Sequence, residues 1–369
     1  MQQDFHYYCV AVLAKAAGFQ VNDALAIAYA SQYVDDATES GLMRLEGQEG
    51  DLKFDPVRTS YFGLELFRSV SWSAQKRIWI PFHFLPPRPF SADVWETFSF
   101  ITRPGSPFAH LLLQQAAGEP LANYKRRLCR IGIALHTYAD TWAHQDFSGR
   151  KSGNENDVES IYLWDRESGE FIHLGIENIL FDTLPQIGHA EAGFFPDIPF
   201  FKWKCTLRRP SPEEITRDNI EVFLDAAKNI YTQLRAMEKA NADMPIPWSE
   251  VESQIRILFT EEDTPQKSVN RLATAAYRAY LAAMVEKRCI EWKRVFDDLF
   301  HPYEDRFFYN LQTWRKQAVE GDTDWDNYSE LEWAQMAPLT LRPGFWDSMW
   351  VHFHRAALRQ RHFVLENLP

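Results

Sequence analysis

Apolar residues recur at helical spacing along most of the chain. The pattern is strongest over residues 121–146, where Leu128, Ile131, Ala134, Leu135, Tyr138 and Trp142 fall three and four apart. Basic residues occupy the first turns of this helix and oppose its macrodipole, so packing of the apolar stripe must hold it. Residues 6–18 read as a first helix that stops at Gly18, and Asn22 can cap a second, DALAIAYASQYVDD, which fades into a polar stretch over 38–50. Residues 107–117 form a short helical pattern. Ser211-Pro212-Glu213-Glu214 puts proline and acids in a first turn and predicts a helix over 212–240. A long helix is expected over 266–300 and a last one over 344–367.

Between the helices the period changes. Pro81, Pro86, Pro87 and Pro89 make residues 79–90 an irregular loop or a short edge strand. IYLWDRESGEFIHL alternates on either side of Ser-Gly and predicts a β-hairpin over 158–175. Residues 185–210, rich in Pro and Phe, read as loop, as do the breakers at 244–250 and 320–343. The expected fold is mainly α: a multi-helix metal-binding core over 1–245 with one small hairpin, and a C-terminal helical extension over 246–369 packed on it as one compact unit.

Charge narrows the partners. Against 51 acidic residues stand 39 basic ones, a net charge of −12, which disfavours a broad footprint on duplex nucleic acid or anionic lipid. No apolar run reaches the length of about 18 residues that a membrane span needs. The start, MQQDFHYYCV, lacks a basic segment followed by an apolar one, so no cleaved secretory signal is expected. Cys9, Cys129, Cys205 and Cys289 form no CxxC pair, which argues against a thiolate zinc site and for reduced thiols in a cytoplasm. Export by a signal-independent route is the alternative. Aromatic residues make up 15% of the chain, enough both to fill a core and to wall a cleft.

The chemistry concentrates in the strongest helix. His136 and Asp140 are four apart and face the same way, so they can share one ion. His144 lies two turns beyond His136, a rise of about 12 Å, too far for one tetrahedral ion with bonds near 2 Å. Either the helix breaks before His144, or the three residues serve more than one ion with Asp140 as the bridge. A buried, hydrogen-bonded histidine is the plainer alternative, but composition alone yields roughly 0.02 such H-x3-D-x3-H patterns per chain. Further donors stand elsewhere: His6 after Asp4, the pair Asp35 and Asp36, His83 in IPFHFLPP, and His189 with Glu191 and Asp197. Histidines and carboxylates without thiolates suit a hydrolytic zinc cluster or its manganese or iron relatives. Glu170 and His173 match the E-x-x-H of di-iron bundles, but in one copy and within the hairpin. His110, His352 and His354 read as core or surface residues. There is no His-Asp dipeptide, no phosphate-cradling glycine loop and no G-x-S-x-G elbow.

DFHYY, SQYVDD, PFHFLP, LHTYADTWAHQDFSG and GHAEAGFFPD, in this order, resemble an uncharacterised bacterial family over most of residues 1–230. Through its ligand pattern that family resembles, more distantly, the zinc-dependent phospholipase C and single-strand nuclease superfamily. The resemblance implies an all-helical core holding three zinc ions in a cleft. It implies that His6 stands for the early His, Asp35 or Asp36 for the first Asp, and His83 for the second His. His136 and Asp140 then stand for the helical pair, His144 for the next His, and His189 with Glu191 or Asp197 for the late pair. Two departures matter. The secreted enzymes ligate metal with the amino group of a mature N-terminal tryptophan, whereas this chain has Met1, leaving Asp4 as a substitute or that ion absent. The late pair also lies in a Gly/Pro-rich loop rather than a helix. Two or three divalent ions are therefore expected, zinc first, with manganese or iron as alternatives.

The expectation is a metal-dependent phosphodiesterase or phospholipase C-like hydrolase acting on a small phosphodiester or phospholipid headgroup. Asp35 or Asp36 would orient or deprotonate the attacking water. Trp142, Phe82, Phe84, Phe194 and Phe195 are candidates for the cleft wall. The rival expectations are a non-catalytic helical protein stabilised by its metals and a di-iron or di-manganese redox bundle. Residues 246–369 carry no motif.

Overall fold

The computed structural model describes residues 1–39, 41–47, 50–61, 70–166, 168–174, 186–237, 244–260, 275–300, 307–321, 323–325, 332 and 335–369. A π-helical turn, Asp4–Cys9, runs into α1 (Val10–Ala16), which is followed by α2 (Val21–Asp36), α3 (Pro107–Ala117) and α4 (Tyr124–Ala143). After these come α5 (Asn219–Met237), α6 (Trp248–Thr260), α7 (Ala275–Phe300), α8 (Gln312–Ala318) and α9 (Met349–Glu366). The fold is mainly α. No described helix is long and apolar enough to cross a membrane.

Helix α4 is the axis: α2, α3, α5 and α9 all pack against it, and every residue from Leu128 to Ala143 is buried. Gly132 marks its closest crossing, since a Cβ there would lie 2.3 Å from the Ile27 carbonyl oxygen and 2.6 Å from Ala30 Cβ of α2. The basic first turns of α4 have an electrostatic partner besides packing. The buried Glu119 carboxylate accepts from Arg126 Nε at 2.8 Å and Arg130 Nη1 at 2.9 Å, and from Arg359 of α9 at 3.1 Å. A hydrophobic cluster joins Phe5, Tyr33 and Phe223 to Phe259, Trp292, Trp314, Trp350 and Phe353. The C-terminal helices therefore share a core with the first 245 residues.

Two small sheets flank the helices. Strands β1 (Met43–Gly47), β2 (Gly50–Phe54) and β7 (Leu339–Thr340) pair in the order β2-β1-β7. Strands β3 (Val158–Asp165), β4 (Glu170–His173), β5 (Lys202–Leu207) and β6 (Glu213–Asp218) form an antiparallel sheet in the order β4-β3-β5-β6. Strands β3 and β4 make the hairpin, with Tyr162 opposite His173 and Asp165 opposite Glu170.

The sheets account for most departures from the sequence reading. The loop expected over 185–210 contains β5, whose Trp203, Cys205 and Leu207 are buried while the residues between them are partly exposed. The helix expected from 212 begins instead at Asn219, because β6 completes the ladder with β5. Asn219 fixes that corner: its amide donates to Phe195 O at 2.6 Å and Ile198 O at 2.8 Å and accepts from Trp203 Nε1 at 3.0 Å. Long-range pairing outweighs the local proline-and-acid signal. The polar stretch over 38–50 contains β1. Residues 79–90 begin in helical turns, Gln75–Trp79 and Ile80–Phe82, with Pro81 tolerated in a first turn. Residues 261–274, where the predicted long helix would start, lie outside the described residues, as does residue 175 at the predicted hairpin end.

Candidate metal centre

Four segments converge on the inner face of α4. His136 and Asp140 sit one turn apart on α4, Asp35 at the end of α2, and His83 just after the turn Ile80–Phe82. His6 comes from the π-helical turn, and His189 and Asp197 from the turns before β5. The helix does break before His144, which follows Ala143 with φ −92° and ψ 9°. Asp146, at φ 72°, completes the turn, a left-handed conformation uncommon for a residue other than glycine. Arg217 of β6 holds this exit, donating to Ala143 O at 2.8 Å, to Gln145 O and to Asp146 Oδ2 at 3.1 Å.

Asp140 is the hub, and its two oxygens serve different neighbours. Oδ1 lies 2.9 Å from the Met1 amino nitrogen and 3.1 Å from His6 Nε2. Oδ2 lies 3.2 Å from both His83 Nδ1 and His136 Nε2, and 3.6 Å from His144 Nδ1. Asp35 Oδ1 is 3.6 Å from His136 Nε2 and 3.9 Å from His83 Nδ1. Asp197 closes the other side, with Oδ1 at 3.1 Å from Met1 N and 3.3 Å from His144 Nε2, and Oδ2 at 3.4 Å from His189 Nε2.

These separations fit ligand atoms around a small cation. Donors bonded at about 2.0–2.1 Å to a tetrahedral ion stand about 3.3 Å from one another. Three triplets have one donor atom each within 4.8 Å of the others: His6, His136 and Asp140; Asp35, His83 and His136; His144, His189 and Asp197. The first two share His136 Nε2, whose one lone pair can serve a single ion. Backbone carbonyls fix three tautomers. His83 Nε2 donates to Thr59 O at 2.9 Å, His144 Nδ1 to His83 O at 2.8 Å, and His189 Nδ1 to Gly193 O at 2.8 Å. Their other nitrogens, His83 Nδ1, His144 Nε2 and His189 Nε2, aim lone pairs at carboxylate oxygens, an arrangement that needs a proton or a metal ion between. His6 Nδ1 and His136 Nδ1 have no hydrogen-bond partner among the described residues.

Protonation narrows that choice. Burial, aided by the Met1 ammonium, lowers His6 to about 4, and burial lowers His189 to about 4 and His136 well below its usual value, so these imidazoles are neutral. Burial pushes Asp197 and Asp140 up, but their cationic and imidazole neighbours hold both well below the usual carboxylate range. Asp35 is pushed up to about 8, by burial first, with Asp140 and Asp36 adding to it against His83 and the Met1 ammonium. Burial lowers the Met1 amine, yet Asp140, Asp197 and Asp35 together raise it to about 11. Burial lowers His83, but its hydrogen bond to Asp140 and the charges of Asp140 and Asp35 raise it overall, so a proton is favoured on the His83–Asp140 contact. Three carboxyl groups, Asp35, Asp140 and Asp197, thus face one fixed cation, the Met1 ammonium. A cavity of about 420 Å³ opens onto Met1, Asp35, His83, Asp140, His144, His189 and Asp197, and its described lining contains no Lys or Arg.

Three of the expected donors are turned elsewhere. Asp4 pairs with Arg288 Nε at 2.6 Å, Asp36 accepts from Gln32 at 3.0 Å and from Tyr309 OH at 2.6 Å, and Glu191 accepts the Val158 amide at 2.7 Å. The group that stands where Asp4 was expected is the Met1 amino nitrogen. Of the five aromatic residues expected in the wall only Phe84 lines the cavity, beside Trp79 and Ile187. Trp142 and Phe82 belong to the main core, and Phe194 and Phe195 pack with the second sheet. Glu170 and His173 lie on β4, exposed, and His354 is a core residue whose Nδ1 accepts the Val57 amide at 3.0 Å.

The chain matches DUF6765, a family of unknown function, over residues 1–368, and belongs to it. No curated protein and no solved structure matches it.

Proposed function

We propose that this chain is a metal-dependent hydrolase of phosphodiester bonds, built on a phospholipase C/nuclease-like helical core. The observation that carries the reading is the convergence of three carboxyl groups and five imidazoles at the floor of an open cavity, with the Met1 ammonium as the one fixed cation among the described groups. The donors divide into three positions. Met1 N, once a bound ion has displaced its proton, would form one with His6 and Asp140 Oδ1; Asp35, His83, His136 and Asp140 Oδ2 a second; His144, His189 and Asp197 a third. Zinc suits this nitrogen and oxygen set best, with manganese or iron next.

Divalent ions held there supply Lewis acidity, making water nucleophilic near neutral pH and offsetting charge on a phosphoryl oxygen. The chain's own residues do the rest. Asp35 stands at the cavity edge, where its carboxylate can orient a water and accept its proton. Trp79, Phe84 and Ile187 present an apolar wall to the part of the substrate that does not react. Without Lys or Arg in the described lining, a phosphodiester monoanion fits better than a phosphomonoester dianion, as does a phospholipid headgroup over a polyphosphate. The four buried free cysteines fit a reducing compartment.

The test pairs metal analysis of untagged protein with hydrolysis of bis(p-nitrophenyl) phosphate, for wild type and Asp140→Asn. Two or three equivalents of metal and diesterase activity, both lost in the variant, are expected. Folded, metal-free wild-type protein that gains nothing from added zinc overturns the reading. Metal-replete protein inert on every phosphodiester tried replaces it with a structural metal centre.

A further inference from the structure

Arg288 lies on α7, in the stretch of sequence that carries no motif, yet its buried guanidinium touches both segments that meet at the Met1 nitrogen. Nε donates to Asp4 Oδ2 at 2.6 Å and Nη2 to Gln2 Oε1 at 2.9 Å. Its Cζ stands 5.3 Å from the ring centroid of Phe200, three residues past Asp197. Asp4 is fully buried, and its Oδ1 accepts the Phe5 amide at 3.1 Å, at the start of the turn that carries His6. The Gln2 carbonyl accepts the Phe5 and His6 amides at 2.9 and 3.0 Å.

The first residues of a chain fray unless something ties them down. Here the buried amine is held between two carboxylates, at 2.9 and 3.1 Å. Its neighbours Gln2 and Asp4 end on one guanidinium, and so does the loop that delivers Asp197. A buried Arg–Asp pair with a second hydrogen bond and a ring beneath it is a rigid anchor, and Arg presents the planar fork that allows both bonds at once.

We propose that Arg288 is a positioning residue that fixes the Met1 amino nitrogen against Asp140 and Asp197. Its consequence for metal binding rests on the function proposed above; the anchoring itself does not. This assigns the C-terminal helices a part in the centre, although none of its donors comes from them.

The experiment reads the reactivity of the amine. Wild type, Asp4→Asn/Arg288→Gln and Arg288→Lys are treated with an N-hydroxysuccinimide acetate at pH 7, as purified and after chelation, and acetylation of the N-terminal peptide is followed by mass spectrometry. The double variant removes both charges together, so no unpaired ion is left buried. We expect it to acetylate at least tenfold faster than wild type, with an unchanged circular dichroism spectrum and a cooperative melt. It should also lose one equivalent of metal and keep the others. Arg288→Lys keeps the ion pair but not the fork, and should acetylate a few-fold faster than wild type, well below the double variant. Unchanged acetylation in the folded double variant overturns the proposal, even if wild type holds its full metal complement. Tenfold faster acetylation with no metal in wild type upholds the anchor and removes the metal reading instead. Should the double variant fail to fold, Gln2→Ala removes one contact and leaves the ion pair; at least twofold faster acetylation supports the anchor, and no change overturns it.

Discussion

Two buried polar regions grow from the end of α2 and resolve their charges in opposite ways. Around Tyr33 and Glu39 the arrangement is closed. Arg315 Nε donates to Glu39 Oε1 and to Tyr33 OH, both at 2.9 Å, Nη1 donates to Thr323 O at 3.2 Å, and Nη2 to Asp36 O at 3.3 Å. Trp350 Nε1 adds bonds to Tyr33 OH at 3.1 Å and Glu39 Oε1 at 3.3 Å, and Tyr33 OH donates to Glu39. One anion meets one cation, and Glu39 Oε2 and His354 Nε2 have no partner among the described residues. Two residues from Tyr33, Asp35 faces a region where three carboxyl groups and five imidazoles meet one fixed cation, the Met1 ammonium. Burial is common to both, so burial alone does not mark a ligand site. The mark is the unbalanced charge, together with a cavity that gives access to it.

The comparison breaks if the closed region responds to metal or the open one does not. The largest effect expected is for Glu39→Gln, which strands the Arg315 charge and should cost about 3–5 kcal/mol of stability by denaturant unfolding, equally with and without chelator. Chelation of wild type should cost about 4 kcal/mol where free zinc had stood at about a thousand times its dissociation constant, and should cost Asp140→Asn almost nothing. If Asp140→Asn and wild type lose the same amount, the centre is not what binds the metal.

Acid should act on the closed region through His354. Burial, with Arg315 and Arg361 adding to it against Glu39, lowers His354 to about 4. The folded state therefore binds fewer protons than the unfolded state between pH 6.5 and 4. Stability present above pH 6.5 falls across that window, by about 3 kcal/mol for this residue. Unfolding midpoints of His354→Gln measured from pH 7 to pH 4 should show a correspondingly flatter decline, and an unchanged slope would sink the assignment. The smallest effect is for Glu191→Gln. Its carbonyl oxygen can still accept the Val158 amide, so stability should change by under about 0.5 kcal/mol and metal content not at all. A lost equivalent would return Glu191 to the ligand set.

Much of the helical frame could be read from spacing, because the stripe on α4 and the proline start of α3 are local features. Strands β5 and β6 could not, since each is stabilised by the other and by β3, and residues 213–218 carry a helix-start signal that only their partners overrule. The centre divides in the same way. His136 and Asp140 share a face by helical geometry alone, so their pairing was visible in the sequence. Whether Asp35 or Asp36 faced them was not, because neighbours on a helix point about 100° apart and only the elements around α2 decide which direction is inward. The same holds for Asp197 over Glu191, which the turns before β5 orient, and for the Met1 nitrogen in place of Asp4. Residue types and local periodicity, written along the chain, determined which kinds of donor this protein holds and that a helix carries two of them. Which of the remaining donors converge was decided by tertiary structure, since each depends on a contact with a segment tens to hundreds of residues away.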